Sequence, residues 1–224
     1  MSETVKNIFF IFMLYSPVSM AITEPVPYPT KSRVIIYQKA KGNAAHLVIN
    51  NPGERVWLLQ SWIEDMYGKR YSGIHPSLSR LESNTSTRLL IYGPQDLWTE
   101  DRENLAWLNI RIIPEVFQTN ESRLTIPIEY RLKLFLRPSS VELKLEPQII
   151  CVDNEKNISL KNTGKHYLTL SRMNNAKGMV ISDNIISIPP GEIMNTTVPY
   201  TSGEYEIQYI DDNGLIQSKE VKCI

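Results

Sequence analysis

Histidines and paired carboxylates are the side chains of this chain that could act in acid–base chemistry or bind a metal. The three histidines, His46, His75 and His166, lie far apart and lack the i, i+3 or i+4 partners of a metal site. Two acidic pairs, Glu64-Asp65 and Asp211-Asp212, precede turns that contain glycine, which favours solvated turn residues over acid–base catalysis. The sequence therefore predicts no catalytic residue, no metal site and no cofactor. A hydrolase with a site that no motif marks is kept as an alternative.

The N-terminal segment 1–21 differs in composition from the rest of the chain. Its apolar run, Ile8–Tyr15, is too short to cross a bilayer as a helix, and Ser19 and Ala21 match the small-residue pattern of a signal-peptidase site. We predict a signal peptide at 1–21 and a mature chain from Ile22, with a buried N-terminal strand or helix as the alternative. No later segment is long enough for stable membrane insertion.

Export would place the two cysteines, Cys151 and Cys223, in an oxidising compartment. With no third thiol to compete, a disulfide between them is the leading interpretation. A loop of this length would stabilise the fold by very roughly 4 kcal/mol in the chain-entropy model. Two separately buried thiols remain the alternative.

Charge is balanced over the whole chain. Lysine plus arginine and aspartate plus glutamate each number 24, so the formal net charge is zero. Nucleic acid and anionic membranes both favour a basic excess, and neither is expected as a partner. With 42% hydrophobic and 21% charged residues, the composition is that of a globular protein.

Short alternating runs between turn signals dominate the sequence, and no convincing amphipathic helix interrupts them. The fold is predicted to be all-β. The predicted strands become shorter after Arg137-Pro138. This change divides the chain into an N-terminal domain at 22–140 and a smaller C-terminal domain at 141–224. In the second, DDNG (211–214) is a strong hairpin turn.

The stretch RLTIPIEYRLKLFLRP, Arg123–Pro138, alternates apolar and polar residues over more than twice the usual strand length. Pro127 removes a hydrogen-bond donor, which a strand tolerates at the edge of a sheet. An apolar row at an edge suggests that another chain adds a strand there, with Leu124, Ile126 and Ile128 filling its pockets. The alternative is a strand whose apolar face is internal throughout, and the pattern alone leaves both open.

Several motifs now point to a family. The segments KSRVIIY, LLQSWIED, TRLLIY, DRENLAWLNIRIIP and YRLKLFLRP, in this order, resemble the PapD-like periplasmic pilus chaperones of the chaperone–usher pathway. The match covers nearly all of the first domain and, in the second, chiefly YIDDNG. The resemblance implies two immunoglobulin-like β-sandwich domains in a boomerang arrangement. It also implies that the long strand is the donor strand, which completes unfinished pilus subunits; Pro127 departs from the family pattern there.

The resemblance assigns roles to five polar residues. Arg33 and Lys133 match the two basic residues that anchor the subunit's C-terminal carboxylate. A guanidinium fork and an ammonium suit that chemistry. Glu103, Arg137 and Asp212 fall on the interdomain salt-bridge positions and are expected to set the angle between the domains.

The sequence thus predicts a non-enzymatic periplasmic chaperone whose partners are pilus or fimbrial subunits and an outer-membrane usher. It leaves self-dimerisation of the free chaperone open. The alternative of another class is a secreted two-domain immunoglobulin-like adhesion or receptor module, which would not need Arg33 and Lys133 for binding.

Overall fold

The computed structural model describes residues 24–39, 43–115, 126–142, 145, 147–175 and 177–223. The predicted all-β fold is confirmed: within these ranges the one helical element is a single 3₁₀ turn at Gln95–Leu97. The predicted signal peptide and Leu124 lie outside the described residues. Within them we find no apolar helix of the length that a bilayer crossing requires.

Two sheets form the first domain, and each contributes the apolar side of its strands to one core. Its strands are β1 (Tyr28–Pro29), β2 (Arg33–Tyr37), β3 (Ala44–Asn51), β4 (Trp57–Glu64), β5 (Arg70–Tyr71), β6 (Ile74–His75), β7 (Leu78–Leu81), β8 (Thr85–Tyr92), β9 (Asn104–Pro114) and β10 (Ile128–Arg137). One sheet has the order β1-β3-β8-β6, and the other has the order β2-β10-β9-β4-β5, with β7 also paired to β4. The period-two pattern of burial in β4 and β8 follows from this packing, because alternate side chains point to opposite faces of a strand.

The second domain is a smaller sandwich of the same kind. Its strands are β11 (Ile149–Asn154), β12 (Asn157–Asn162), β13 (Leu168–Asn175), β14 (Val180–Ser182), β15 (Ile186–Ile188), β16 (Ile193–Pro199), β17 (Gly203–Ile210) and β18 (Ile216–Cys223). Its sheets run β11-β12-β16 and β14-β13-β17-β18, with β15 also paired to β13. The two immunoglobulin-like domains have separate cores: in chain order Leu136 is the last residue of the first buried cluster and Leu145 the first of the second.

The predicted disulfide is confirmed. Cys151 on β11 and Cys223 on β18 are bonded, with Cα atoms 5.0 Å apart. Since β11 and β18 belong to different sheets, the bond joins the first and last strands of the second domain across its sandwich.

The long alternating stretch needs a correction. Among the described residues regular pairing begins at Ile128, although the alternating stretch begins at Arg123, and β10 is an edge only over its first half. Its second half, Lys133–Arg137, lies between β9 and the parallel strand β2. The expectation of an edge strand is therefore wrong for Lys133–Arg137, because β2, which lies far away in the sequence, supplies hydrogen-bond partners along this half.

The apolar row of β10 mostly faces the core of its own domain. Leu132, Leu134 and Leu136 are buried in the first cluster, and Ile128 packs partly against it. Ile126, by contrast, is 66% exposed and precedes the strand. The row thus changes from internal to solvent-facing at the N-terminal end of β10.

Candidate functional site

Two neighbouring strands bring the predicted anchor residues together. β2 and β10 run parallel, and the register places Arg33 directly opposite Lys133. Their side chains share the outer face of the sheet, because Val34 and Leu134, the next pair along, are buried in the core. That outer face meets the second domain, so both cations lie where the two domains approach each other.

Arg33 is held in this junction with one hydrogen-bond donor left over. Its side chain is 93% buried, Nη1 donates to the carbonyl oxygen of Ile210 at 3.1 Å, and the guanidinium lies 5.6 Å from the centre of the Phe135 ring. Nε has no hydrogen-bond partner among the described residues. Burial lowers the pKa of Arg33, and nearby Asp212 opposes the shift. A buried donor without an acceptor is costly unless a ligand supplies one.

Lys133 is half-buried and touches only neutral acceptors. Its Nζ donates to Thr169 Oγ1 at 3.0 Å and to Ser187 Oγ, two hydroxyls that the pairing of β13 with β15 sets opposite each other. Burial, with the positive charge of Arg33 beside it, lowers the pKa of Lys133 to about 8. Among the described residues no carboxylate lies within ion-pair distance of Lys133 or of Arg33. The two cations therefore lie side by side with no ion-pair partner among the described residues.

The site adjoins an open stretch of sheet edge. β2 pairs with Lys133–Arg137, whereas Ile128–Leu132 has β9 on one side and no strand of the described chain on the other. The free backbone groups of this half of β10 therefore end at the Arg33 and Lys133 pair. An incoming strand would meet the two cations at that end.

A second cluster joins the domains. Arg137 is 99% buried and lies between two carboxylates: Nε and Nη2 reach Glu103 Oε1 at 2.8 and 2.7 Å, and Nη1 and Nη2 reach the two oxygens of Asp212 at 2.9 Å. Glu103 Oε2 also accepts the backbone N–H of Tyr167 at 2.8 Å. Burial raises the pKa of Glu103, and the Arg137 charge opposes that shift. The three residues link the first domain to the second.

Some residues of the junction carried no signal in the sequence. Thr169 and Ser187 are ordinary strand residues whose role depends on the pairing of β13 with β15. The β17–β18 hairpin approaches β2 so closely that a Cβ at Gly214, where φ is +85°, would lie 2.6 Å from Ser32 Oγ. The DDNG turn motif predicted the hairpin but not this contact.

The metal-ligating candidates stay apart. In the described part of the chain, histidine, cysteine and carboxylate side chains do not gather in threes as metal ligands would. His166 is buried near the domain junction, where a ring nitrogen bonds the carbonyl oxygen of Glu142 at 3.0 Å. Burial lowers its pKa, which is the behaviour of a structural histidine.

Several known proteins are similar to this chain in sequence or fold. Chaperone protein FocC of Escherichia coli is 27% identical over 225 residues, covering 96% of this chain and 93% of FocC. Protein FasE of Escherichia coli is 38% identical over 110 residues, covering 48% of this chain and 80% of FasE. A chain in the structure of the Salmonella enterica SafA pilin in complex with the SafB chaperone shares the fold, with a TM-score of 0.73 at 23% identity, covering 90% of this chain and 98% of that one.

The family model described as pili and flagellar-assembly chaperone, PapD N-terminal domain, matches residues 28–142, more than half of the chain. This range holds both β2 and β10, and with them Arg33 and Lys133. The resemblance found in the sequence motifs is confirmed, and the chain belongs to the PapD-like family of pilus-assembly chaperones.

Proposed function

We propose that this protein is a periplasmic chaperone that holds pilus or fimbrial subunits by donor-strand complementation and delivers them to an outer-membrane usher. The observation that carries the proposal is the open edge of β10 ending at two unneutralised cations, Arg33 and Lys133. Complexes of related folds support the class of partner, since the structures of SafB and of CsuC each contain a chaperone bound to a pilus subunit.

The direction of the incoming strand follows from the geometry. β2 already occupies the edge of β10 over Lys133–Arg137, so a subunit strand has room only along Ile128–Leu132 and the residues before it. If its C-terminal carboxylate meets Lys133 and Arg33, it must end where the open edge ends. It then runs parallel to β10.

The carboxylate anchor fixes the register of this pairing. A carboxylate can accept from the free Nε of Arg33 and from the Lys133 ammonium, and both bonds are charge-assisted. A slip of one residue would turn every side chain of the added strand to the opposite face. The anchor therefore excludes the neighbouring registers.

Apolar side chains supply the affinity. Ile126 is 66% exposed in the free chain, so its burial in a subunit groove adds contacts without removing any from the core. Full burial of such a side chain contributes about 1.5–3 kcal/mol before the cost of association. Transfer to the usher needs no nucleotide if the final strand of the pilus packs better in that groove than Ile126 and its neighbours do.

The test is co-purification of the tagged chaperone from the periplasm with subunits encoded beside it, for the wild type, Lys133→Ala and the control Lys39→Ala. Lys39 is an exposed lysine just after β2. We expect a subunit with the wild type and the control but not with Lys133→Ala. Capture that survives Lys133→Ala would refute the anchor and keep the chaperone. Absence of any subunit from all three would favour the adhesion module.

A further inference from the structure

A cavity lies at the free side of β2, next to the anchor but separate from Lys133. It has a volume of about 320 Å³ and is enclosed by β2, the start of β3 and the hairpin between β17 and β18. Arg33 and Tyr37 line it from β2, Ala45 and His46 from β3, and Lys31 from the segment just before β2. Lys133 is not among its lining residues, so an anchor made of Arg33 and Lys133 alone gives this cavity no role.

The charged side chains that line the cavity favour an anion over a cation. Lys31 and Arg33 are cationic, and His46 adds an imidazole at the same wall. Asp212 also lines the cavity, but its two oxygens already accept from Arg137 at 2.9 Å, and one also accepts from the Leu145 N–H at 3.2 Å. Arg33, 93% buried, keeps its Nε without a partner among the described residues. The charge left without a partner at this wall is therefore positive, and the Nε of Arg33 is the donor already assigned to the terminal carboxylate.

The course of the chain places this wall at the end of the open edge. β1 pairs with β3 in one sheet and β2 pairs with β10 in the other, so Thr30–Ser32 crosses between the sheets directly before β2 begins. A subunit strand added along Ile128–Leu132 would end against this crossing. Its terminal residue would then lie beside Lys31 and at the mouth of the cavity.

We propose that Lys31 is a third cation of the carboxylate anchor and that the cavity receives the side chain of the subunit's terminal residue. The inference rests on the proposed function and extends it to specificity. With Lys31, Arg33 and His46 around it, the cavity accepts a neutral or acidic terminal side chain and disfavours a lysine or arginine.

The experiment is quantitative co-purification of the wild-type subunit with four chaperone variants. Two change the residue in question, Lys31→Ala and Lys31→Glu. Lys39→Glu is the matched control, and Lys133→Ala is the variant that should lose capture. Loss of one solvent-accessible cation lowers capture by up to about five-fold, and reversal of its charge by about ten-fold or more. Lys39→Glu captures like the wild type because Lys39 does not line the cavity. In parallel, a subunit whose last residue is replaced by lysine is captured less by the wild type, and Lys31→Glu reverses that preference.

The outcomes separate this inference from the proposed function. Undiminished capture by Lys31→Glu, together with loss of capture by Lys133→Ala, would overturn the role of Lys31 and leave the chaperone function intact. Normal capture by Lys133→Ala would refute the two-cation anchor on which the inference rests. If inorganic phosphate raises the Tm of the wild type but not of Lys31→Ala, while both capture subunits equally, the cavity binds only free anions and the inference fails.

Discussion

At the scale of single residues, Arg33 and Lys133 place two like charges side by side in the domain junction, and no carboxylate of the described residues lies within ion-pair distance of either. Such an arrangement costs free energy in the unbound chain, because burial and mutual repulsion both disfavour the charged forms. Burial lowers the pKa of both residues; the charge of Arg33 adds to the shift at Lys133, whereas Asp212 opposes the shift at Arg33. A bound carboxylate would reverse that cost, so the free chaperone is built to gain stability when it captures a subunit.

Capture should therefore depend on pH through Lys133. Its pKa is about 8 in the free chain, and a bound carboxylate would raise it, so the complex holds more protons than the free partners. We expect capture to be strongest below pH 8 and to weaken, by up to about ten-fold per pH unit, above it. Affinity measured between about pH 7 and pH 9.5 checks this.

The control is Lys133→Arg, because arginine keeps its charge throughout that range. Capture by this variant, even if weaker, should show no decline above pH 8. The same pKa shift also bears on folding: charged Lys133 destabilises the free fold below pH 8, and this cost is relieved as pH rises through that value. A wild-type affinity that is flat across the range would remove Lys133 from the carboxylate site.

Arg137 gives a prediction about stability. Arg137→Leu leaves Glu103 buried without its partner, and breaking a buried ion pair in this way costs about 3–5 kcal/mol. Urea unfolding measures the loss, and Arg131→Leu is the control, since the Arg131 side chain is 51% exposed and its ion pair with Glu64 should contribute less than about 1 kcal/mol.

The pH dependence of the same variant has a definite sign. Burial raises the pKa of Glu103, and without Arg137 nothing opposes that shift as strongly. An acid whose folded pKa lies above its unfolded value contributes stability at low pH and loses it as pH rises. Arg137→Leu should therefore be closest to the wild type in mildly acidic buffer, and Arg137→Leu with Glu103→Leu should be less destabilised than the single variant. An equal deficit at every pH would contradict the buried-charge explanation.

At the scale of elements, β10 has an interior half and an edge half, and its sequence pattern does not distinguish them. Residues Lys133–Arg137 are an interior strand between β2 and β9, whereas Ile128–Leu132 has a free edge. The alternating pattern is the same in both halves, because it reports which face is apolar and not how many neighbours the strand has. Only the order of strands in the sheet distinguishes them, and that order depends on long-range pairing.

Ile126 tests the donor strand without disturbing the fold. Because its side chain is 66% exposed, Ile126→Asp should change the free energy of unfolding by less than about 0.5 kcal/mol and yet prevent capture, since it places an unpaired charge in a subunit groove. Co-purification and thermal unfolding of the same samples measure both effects. Ile185→Asp, at a 69% exposed isoleucine of the second domain, is the matched control and should leave both capture and the free energy of unfolding close to those of the wild type. Normal capture by Ile126→Asp would mean that the row does not reach the subunit.

The sequence predicted more of the fold than of the junction. Strand periodicity and turn residues predicted the all-β fold, and the family resemblance of several motifs predicted the chaperone class and selected Arg33 and Lys133. The hydroxyls of Thr169 and Ser187 and the contact of Gly214 with Ser32 could not be predicted, because each depends on how two domains meet. The edge assignment of β10 was half wrong for a similar reason: β2 pairs with it from far along the chain.

At the scale of the whole molecule, two separate cores are joined through a small polar network. Arg137 reaches Glu103 in its own domain and Asp212 in the other, and Asp212 also accepts the N–H of Leu145 in the segment between the cores. The first core is the larger of the two and contains the inward-facing side chains of β10 and β2. The second domain contributes Thr169, Ser187 and the hairpin that encloses the cavity, so its integrity is needed for the anchor and not for the donor edge.

Removal of the disulfide tests whether the second domain is needed around Arg33 and Lys133 but not for the open edge of β10. The disulfide closes a loop of 72 residues between Cys151 and Cys223, and its removal should destabilise the second domain by about 4 kcal/mol in the chain-entropy model. A small sandwich has little core with which to offset such a loss. We expect Cys151→Ser with Cys223→Ser to lower the Tm of one unfolding transition and to make residues after 149 sensitive to protease, while the first domain stays resistant. Each single serine variant also loses the bond and should show the same change, and a double variant that unfolds as one unit at the wild-type temperature would show that the disulfide contributes nothing. If the second domain does loosen, capture should fall as it does in Lys133→Ala, because Lys133 and Arg33 then lose the walls that hold them at the end of the open edge.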